Sequence, residues 1–248
     1  MKLISSLTFG LALFALGLIS TACVEDACSS VSCRNGGTCD DGTCDCPPGT
    51  AGEFCQDLLT VQNRLDNGES PMEIINSGTP VSELYGAFYA GGLIFFVDVN
   101  GDLPGVEGLV AAPQDQSAGS PWGCRGTDLP VPNASFVNND IGGQAYEIGS
   151  GASNTQTIVS ACPGAVARMS TGVDFNGTGW FLPSGRELEA MQENLAARGF
   201  GGFTQGAYYW SSSEDSRNSA VGIRLSPSLL KGFRDKNDQL RVRSARAF

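Results

Sequence analysis

The sequence predicts an α+β fold in which strands outnumber helices, preceded by a small disulfide-rich module. Three observations carry that prediction. Helix-start signals recur at Ser70, Ser153 and Ser184, each followed three residues later by Glu or Gln in the capping-box pattern. Apolar runs of strand length bounded by turn residues fill much of the remainder, and 33 glycines in 248 residues favour turns over long helices. Six of the nine cysteines crowd into residues 28–55, a piece too short to have much core of its own. Composition also excludes chemistry. With no histidine, a Ser-His-Asp triad and His-ligated zinc, non-haem iron or haem sites are ruled out. The 26 acidic and 15 basic residues give a formal charge of −11.

The first element is a targeting segment. Lys2 is the only charge before Glu25, and Leu7 to Ile19 is apolar apart from Thr8, Gly10 and Gly17, the layout of a signal peptide over residues 1–22. Ser20-Thr21-Ala22-Cys23 resembles the lipobox of bacterial lipoproteins. That resemblance implies cleavage before Cys23 and acylation of Cys23, with several acyl chains anchoring the protein to a membrane and residues 23–27 as a lipidated tether. A plain secretory signal and an uncleaved anchor are the alternatives, although the run is at the short end of a membrane span. Glu25 and Asp26 resemble the surface-export signals of some Gram-negative lipoproteins. The expected location is therefore the outer membrane of such a cell, facing outward.

Clustered cysteines in an exported chain mean a disulfide framework, and their spacing alone leaves the connectivity open. A zinc knuckle is the other chemistry with such spacing, disfavoured by export and by the glycine positions. Cys33-Arg34-Asn35-Gly36-Gly37-Thr38-Cys39, then Cys44-Asp45-Cys46-Pro47-Pro48-Gly49 and Cys55, resembles an EGF-like module over residues 28–55. The resemblance implies Cys28–Cys39, Cys33–Cys44 and Cys46–Cys55, with Asn35-Gly36 and Asp41-Gly42 suited to tight turns. Calcium-binding members carry an aromatic between the third and fifth cysteines. Here only Asp40-Asp41-Gly42-Thr43 separates Cys39 from Cys44, so the module reads as a calcium-free stalk. Cys124 and Cys162 are then left for each other. Paired, they would tie the Trp122-Gly123-Cys124 loop to a helix; two buried free thiols, or one redox-active cysteine, are the alternatives.

Residues 56–84 read as a helical connector. Leu58, Leu59, Val61 and Leu65 recur at near-helical spacing up to Asp66-Asn67-Gly68, and Ser70-Pro71-Met72-Glu73 opens a second helix closed by Gly78. Two such short amphipathic helices should pack on the following domain. In residues 85–248, Gly92–Val99 and Gly108–Pro113 read as a buried hairpin with an elaborated loop. Asp98, Asn100 and Asp102 look like a calcium loop, but Leu109 stands where an EF-hand needs glutamate, so the turn reading is preferred. Residues 114–150 read as long surface loops. A helix starts at Ser153 and resumes past Pro163-Gly164, another runs from Ser184 to Gly199, and strands follow at Tyr208–Glu214, Ala220–Leu225 and Gln239–Phe248.

Five blocks in order, Gly91-Gly92-Leu93-Ile94-Phe95, Trp122-Gly123-Cys124, Gly179-Trp180-Phe181-Leu182-Pro183-Ser184 with Glu187-Leu188, Tyr209-Trp210-Ser211-Ser212-Ser213-Glu214, and Arg241 to Phe248, resemble the Lcl C-terminal domain family, a bacterial surface-domain family related to C-type-lectin-like folds. The resemblance implies a lectin-like α+β domain whose ends come together, used for adhesion or ligand binding. The collagen-like repeats of the family's namesake are absent, so its partner does not carry over. Formylglycine-generating enzymes of similar fold use cysteines late in the chain, and none follows Cys162; sulfoxide synthases need histidines. The Glu-Pro-Asn, Gln-Pro-Asp and Trp-Asn-Asp tripeptides of calcium-dependent sugar lectins are also missing, so no metal or cofactor site is assigned.

Charge asymmetry points to a ligand class. The last 32 residues hold eight basic side chains against Asp235 and Asp238, a local +6 in a chain of −11. Lys231, Arg234, Lys236, Arg241 and Arg243 are the candidate ligand-binding residues, for an anionic polysaccharide or matrix polymer; the competing reading is a solvated strand that blocks edge pairing. Arg246 would pair with a buried acid such as Glu187 or Glu214. Nucleic acid is not expected, given export and overall charge. Trp122, Trp180 and Trp210 read as core rather than sugar platforms, and Glu187, Glu189, Glu193, Glu214 and Asp215 contain no recognisable hydrolytic pair. The expectation is a non-enzymatic, lipid-anchored envelope protein that binds an extracellular ligand. A structural lipoprotein making only protein contacts is the alternative.

Overall fold

The computed structural model describes residues 27–248 apart from 138, 139, 174, 176, 226 and 227. The leader 1–22, Cys23 and residues 24–26 lie outside the described residues. Two compact units are present, one formed by the described residues up to Pro47 with Ala51–Gln56, the other by Pro48–Thr50 with Asp57–Phe248. No helix of the described residues is long and apolar enough to cross a membrane.

In the smaller unit, β1 (Thr38–Asp40) and β2 (Thr43–Asp45) form an antiparallel hairpin. Its turn places Asp41 at φ 44° and Gly42 at φ 82°, the positive-φ pair that Asp-Gly adopts readily. Cys28–Cys39, Cys33–Cys44 and Cys46–Cys55 are bonded. Among this unit's described residues Cys55 alone is buried, so cross-links stand in for a core.

Strand β3 (Thr50–Ala51) falls across the division between the units, and in the larger unit β4 (Asp57–Leu58) precedes α1 (Val61–Asp66) and α2 (Pro71–Asn76). Helix α1 starts later than the leucine spacing predicts. Thr60 caps it, accepting the Asn63 N–H at 3.2 Å, which leaves Leu58 in strand conformation and 76% exposed. Helix α2 has the expected capping box between Ser70 and Glu73. Leu65 and Ile74 of these helices pack with Ile94, Val97, Val110 and Trp180, so the connector is part of the larger unit.

A four-stranded antiparallel sheet has the order β15-β7-β6-β5, from β5 (Phe88–Tyr89), β6 (Gly92–Val97), β7 (Gly108–Ala111) and β15 (Ala245–Ala247). Phe95, Leu109 and Ala111 enter one core and Ile94, Val97 and Val110 another, so this sheet is covered on both faces. That explains why its strands read as apolar runs without alternation. In the loop between β6 and β7, Asp98 accepts the N–H groups of Asp102 and Leu103 at 3.0 and 2.6 Å, the bonding of a tight turn.

A five-stranded sheet has the order β13-β12-β11-β14-β8. It comprises β8 (Ser117–Ser120), β11 (Tyr208–Ser216), β12 (Ser219–Arg224), β13 (Leu230–Asp235) and β14 (Leu240–Val242), with β11 and β14 parallel. A separate hairpin joins β9 (Ser135–Val137) to β10 (Asp140–Gly142). Residues 114–150 are therefore not wholly irregular, and β13 falls in a segment without strand-like apolar alternation. The last predicted strand is two: β14 and β15 enter different sheets, and Phe181 bridges to Ala245 beside the break.

Helix α3 (Gly151–Ala161) opens two residues before the predicted cap. Ser153 is inside it, and its Oγ donates back to Ser150 O at 2.9 Å rather than capping. Helical structure returns past Pro163-Gly164, as a separate α4 (Ala167–Thr171). Helix α5 (Gly185–Asn194) has the expected box, with Ser184 and Glu187 bonded reciprocally, and ends earlier than Gly199 in a short 3-10 turn. Leu188, Met191 and Leu195 bury against Phe95, Tyr209, Val221 and Ile223. Cys124 is bonded to Cys162 at the end of α3. The chain end returns to the start of the domain: Phe248 O accepts the Glu107 N–H at 2.8 Å, and its ring lies 5.0 Å from that of Tyr89.

Candidate ligand-binding surfaces

The five basic residues do not form an open cationic patch. Lys236 is wholly buried and bonded to Glu214, also wholly buried, with the Trp122 ring 4.6 Å from its ammonium. Arg243 is 1% exposed; it meets Asp115 at 2.7 Å and stacks 4.1 Å from the Phe203 ring. Arg241 shares Asp115 at 2.9 Å. Lys231 bridges Glu189 and Asp140, and the Arg234 guanidinium lies 3.9 Å over the Tyr208 ring. A polyanion cannot reach Lys236 or Arg243, and Lys231 and Arg241 already have carboxylates. This corrects the expectation of one ligand surface on these residues. The physical reason is long-range pairing: Asp115 and Glu189 lie far from the tail in sequence, and each brings a negative charge to it.

Arg246 is likewise not the partner of the buried acids. It lies 5.9 Å from the Trp180 ring. Glu187 accepts backbone N–H groups only, from Ser184 at 2.8 Å, Gly149 at 2.9 Å and Gly151 at 3.3 Å. Without a cation, burial pushes its carboxyl up to about 7. Glu189 is held by Arg186, Lys231 and the Tyr146 hydroxyl. Glu187, Glu189 and Glu214 thus each tie separate segments of the chain together.

The tryptophans are core anchors, at most 3% exposed. Trp122 Nε1 donates to Ser211 O and Trp210 Nε1 to Ser120 O, each at 2.8 Å. This reciprocal pair pins the loop before Cys124 against β11. None of the three offers a stacking face.

Open concavity lies elsewhere, around helix α3. A cleft of about 440 Å³ is bounded by Gln144, Glu147, Ile148, Ser153 and Thr157. A second of about 400 Å³ on the other flank meets Gln156, Val159, Ser160, Arg168 and Phe181. Between them an apolar notch of about 150 Å³ shares Leu103 and Gly149 with the first cleft, and Ala152 and Phe181 with the second. Each cleft thus shares two wall residues with the notch.

The polarity of these walls is specific. Ser153, Thr157 and Ser160 donate their hydroxyl protons to the carbonyls of Ser150, Ser153 and Gln156 at 2.9, 3.0 and 2.8 Å. Their oxygens therefore face outward as acceptors. Charge is sparse, one carboxylate from Glu147 and one guanidinium from Arg168 on separate flanks. The floor is tied down by Glu187, whose bonds to Gly149 and Gly151 join the start of α3 to the start of α5. A Cβ at Gly151 would come within 2.2 Å of Glu187 Oε2, so only glycine permits that clasp.

Sequence reasoning missed this groove. Ser153, Thr157 and Ser160 do recur at helical spacing, and that polar stripe was the available signal. Among the described residues, no group of three or more His, Cys, Asp or Glu side chains is placed to hold a metal ion.

No known family model matches the chain, and no curated protein matches it. Among solved structures it is similar to a fimbrial protein from Bacteroides ovatus ATCC 8483, 16% identical, with a TM-score of 0.46. The similarity covers 69% of this chain and 47% of that one, so the chain spans about half the length of that protein.

Proposed function

We propose that the chain is a non-enzymatic surface protein of the cell envelope, lipid-anchored through Cys23 and probing the outside with its larger unit. In this reading residues 28–55 are an EGF-like stalk and residues 85–248 an Lcl-type, C-type-lectin-like domain that binds an extracellular glycan or matrix component. The observation that carries the reading is the cysteine pattern: an apolar leader ending in Ala22-Cys23, then first-to-third, second-to-fourth and fifth-to-sixth bonding. Such cross-linking needs an oxidising compartment. Closure of the domain by Phe248 against Tyr89 supports the lectin-like assignment, because it places the ends of the domain together.

Growth of the native cells with radiolabelled palmitate tests the anchor. The full chain should be labelled and partition into detergent, and Cys23→Ala should abolish both. A wild-type chain that stays unlabelled overturns the anchor.

The second reading, a structural lipoprotein making protein contacts, draws on one observation: four of the eight basic residues of the tail, Lys231, Lys236, Arg241 and Arg243, are held in intramolecular ion pairs. A stoichiometric protein partner recovered after mild detergent extraction, together with no glycan binding, would favour it.

A further inference from the structure

We propose that the groove wrapping helix α3 is the ligand site and takes a neutral oligosaccharide, not a polyanion; this rests on the reading of the larger unit as an extracellular binding domain. Two clefts of about 440 and 400 Å³ flank α3, each sharing wall residues with a notch of about 150 Å³, and each is within the size range of small-molecule pockets.

The wall chemistry selects the class. The oxygens of Ser153, Thr157 and Ser160 are acceptors, since their protons are already given to α3 carbonyls. They call for a ligand rich in donors, and sugar hydroxyls supply donors at close, regular intervals. Gln144 and Gln156, one in each cleft, both donate and accept through one amide, which matches the dual character of a hydroxyl. Ile148, Leu103 and Phe181 provide apolar wall between them, suited to the C–H faces of a sugar ring. A sulfated or carboxylated polymer would find only Arg168 as a cation in these walls and would meet Glu147 as a repelling charge. Four of the tail cations, Lys231, Lys236, Arg241 and Arg243, are already bound to acids.

The test is isothermal titration of the full lipidated chain in detergent with cello-, manno-, xylo- and N-acetylchitohexaose, with heparin, and with a tryptic casein digest as peptide probe. At least one neutral hexasaccharide should bind saturably, with an affinity that changes little between low and high salt. Gln156→Ala should weaken it by about five- to tenfold, what one lost hydrogen bond of ordinary net strength gives. Ala152→Trp, which sets an indole into the notch from an exposed helical position, should remove detectable binding. Arg234→Ala should leave it unchanged, and thermal midpoints should show every variant folded. Failure of all four neutral probes overturns the proposal. So does binding that survives both groove variants, salt-sensitive binding of heparin alone, or binding of peptides alone. The palmitate experiment is independent of these outcomes, so a labelled chain that binds no neutral glycan sinks the groove assignment and leaves the anchor standing.

Discussion

Lys236 Nζ meets the Glu214 carboxylate where solvent reaches neither residue, and the Trp122 ring covers the pair at 4.6 Å from the ammonium. Leu129 N–H donates to the same carboxylate at 3.1 Å, and Thr127 O accepts from the ammonium at 3.3 Å. Burial raises the Glu214 carboxyl, and the ammonium partly offsets this. The pair fixes the loop at 127–129 to β11 and to the end of β13. Removing one partner strands the other charge in the core. Lys236→Met and Glu214→Leu should each destabilise by about 3–5 kcal/mol, and the double change should cost far less than their sum. Urea denaturation of the four proteins measures it; additive losses would show that the two groups do not act as a pair.

Glu187 makes stability depend on pH. Its carboxyl titrates at the usual 4.5 when unfolded and at about 7 when folded. Between those values the native state keeps a proton that the unfolded chain has released, so stability falls as pH rises from about 4.5 to about 7. The expected loss across that window is about 3 kcal/mol. Chemical denaturation at intervals of pH should show the decline in wild type and a clearly shallower one in Glu187→Gln, where only the raised carboxyl of Glu214 still contributes. A wild-type curve flat over this window would contradict the uncompensated burial of that carboxyl.

The Cys124–Cys162 bond closes a loop over a sequence separation of 38. Chain entropy gives such a cross-link about 4 kcal/mol. The paired change to Ser at both positions should therefore lower the thermal midpoint well below wild type while leaving the three bonds of residues 28–55 intact, as peptide mapping would show. A midpoint within a degree or so of wild type would mean the loop is held by the Trp122 and Trp210 contacts alone.

Ser184 has two jobs at the start of α5. Its Oγ accepts the Glu187 N–H at 3.2 Å and donates to Glu147 O at 2.9 Å. Ser184→Ala should cost about 2 kcal/mol, the upper end for a lost cap, whereas Ser153→Ala should cost much less because Ser153 is exposed and caps nothing. Equal losses at the two positions would refute the distinction.

That last contrast shows what the sequence could and could not tell. A cap is a four-residue event, so the boxes at Ser70 and Ser184 were legible from neighbours alone. The same pattern at Ser153 misled because Gly151 starts the helix earlier, at a site chosen by the Glu187 clasp from α5. Cysteine order and the apolar hairpin of β6 and β7 were legible too. Strand β13, by contrast, has no apolar alternation, being paired along one edge only as the outermost strand of its sheet. The split of the last strand into β14 and β15 depends on which sheet each segment meets. For the candidate site, the sign of the tail was legible and its neutralisation was not. Asp115 reaches Arg241 and Arg243 across more than a hundred residues, and Glu189 reaches Lys231 from α5. The groove is also a product of tertiary packing, assembled from the β6–β7 loop, the 144–150 segment, α3, α4 and the Trp180-Phe181 strand segment.

The central claim, that the larger unit is displayed outside the cell on a lipid anchor, is tested most directly by protease treatment of intact native cells followed by immunoblotting for residues 85–248. Display predicts that the domain is lost or shed from intact cells while a periplasmic marker survives. A domain that stays protected until the outer membrane is permeabilised would contradict it.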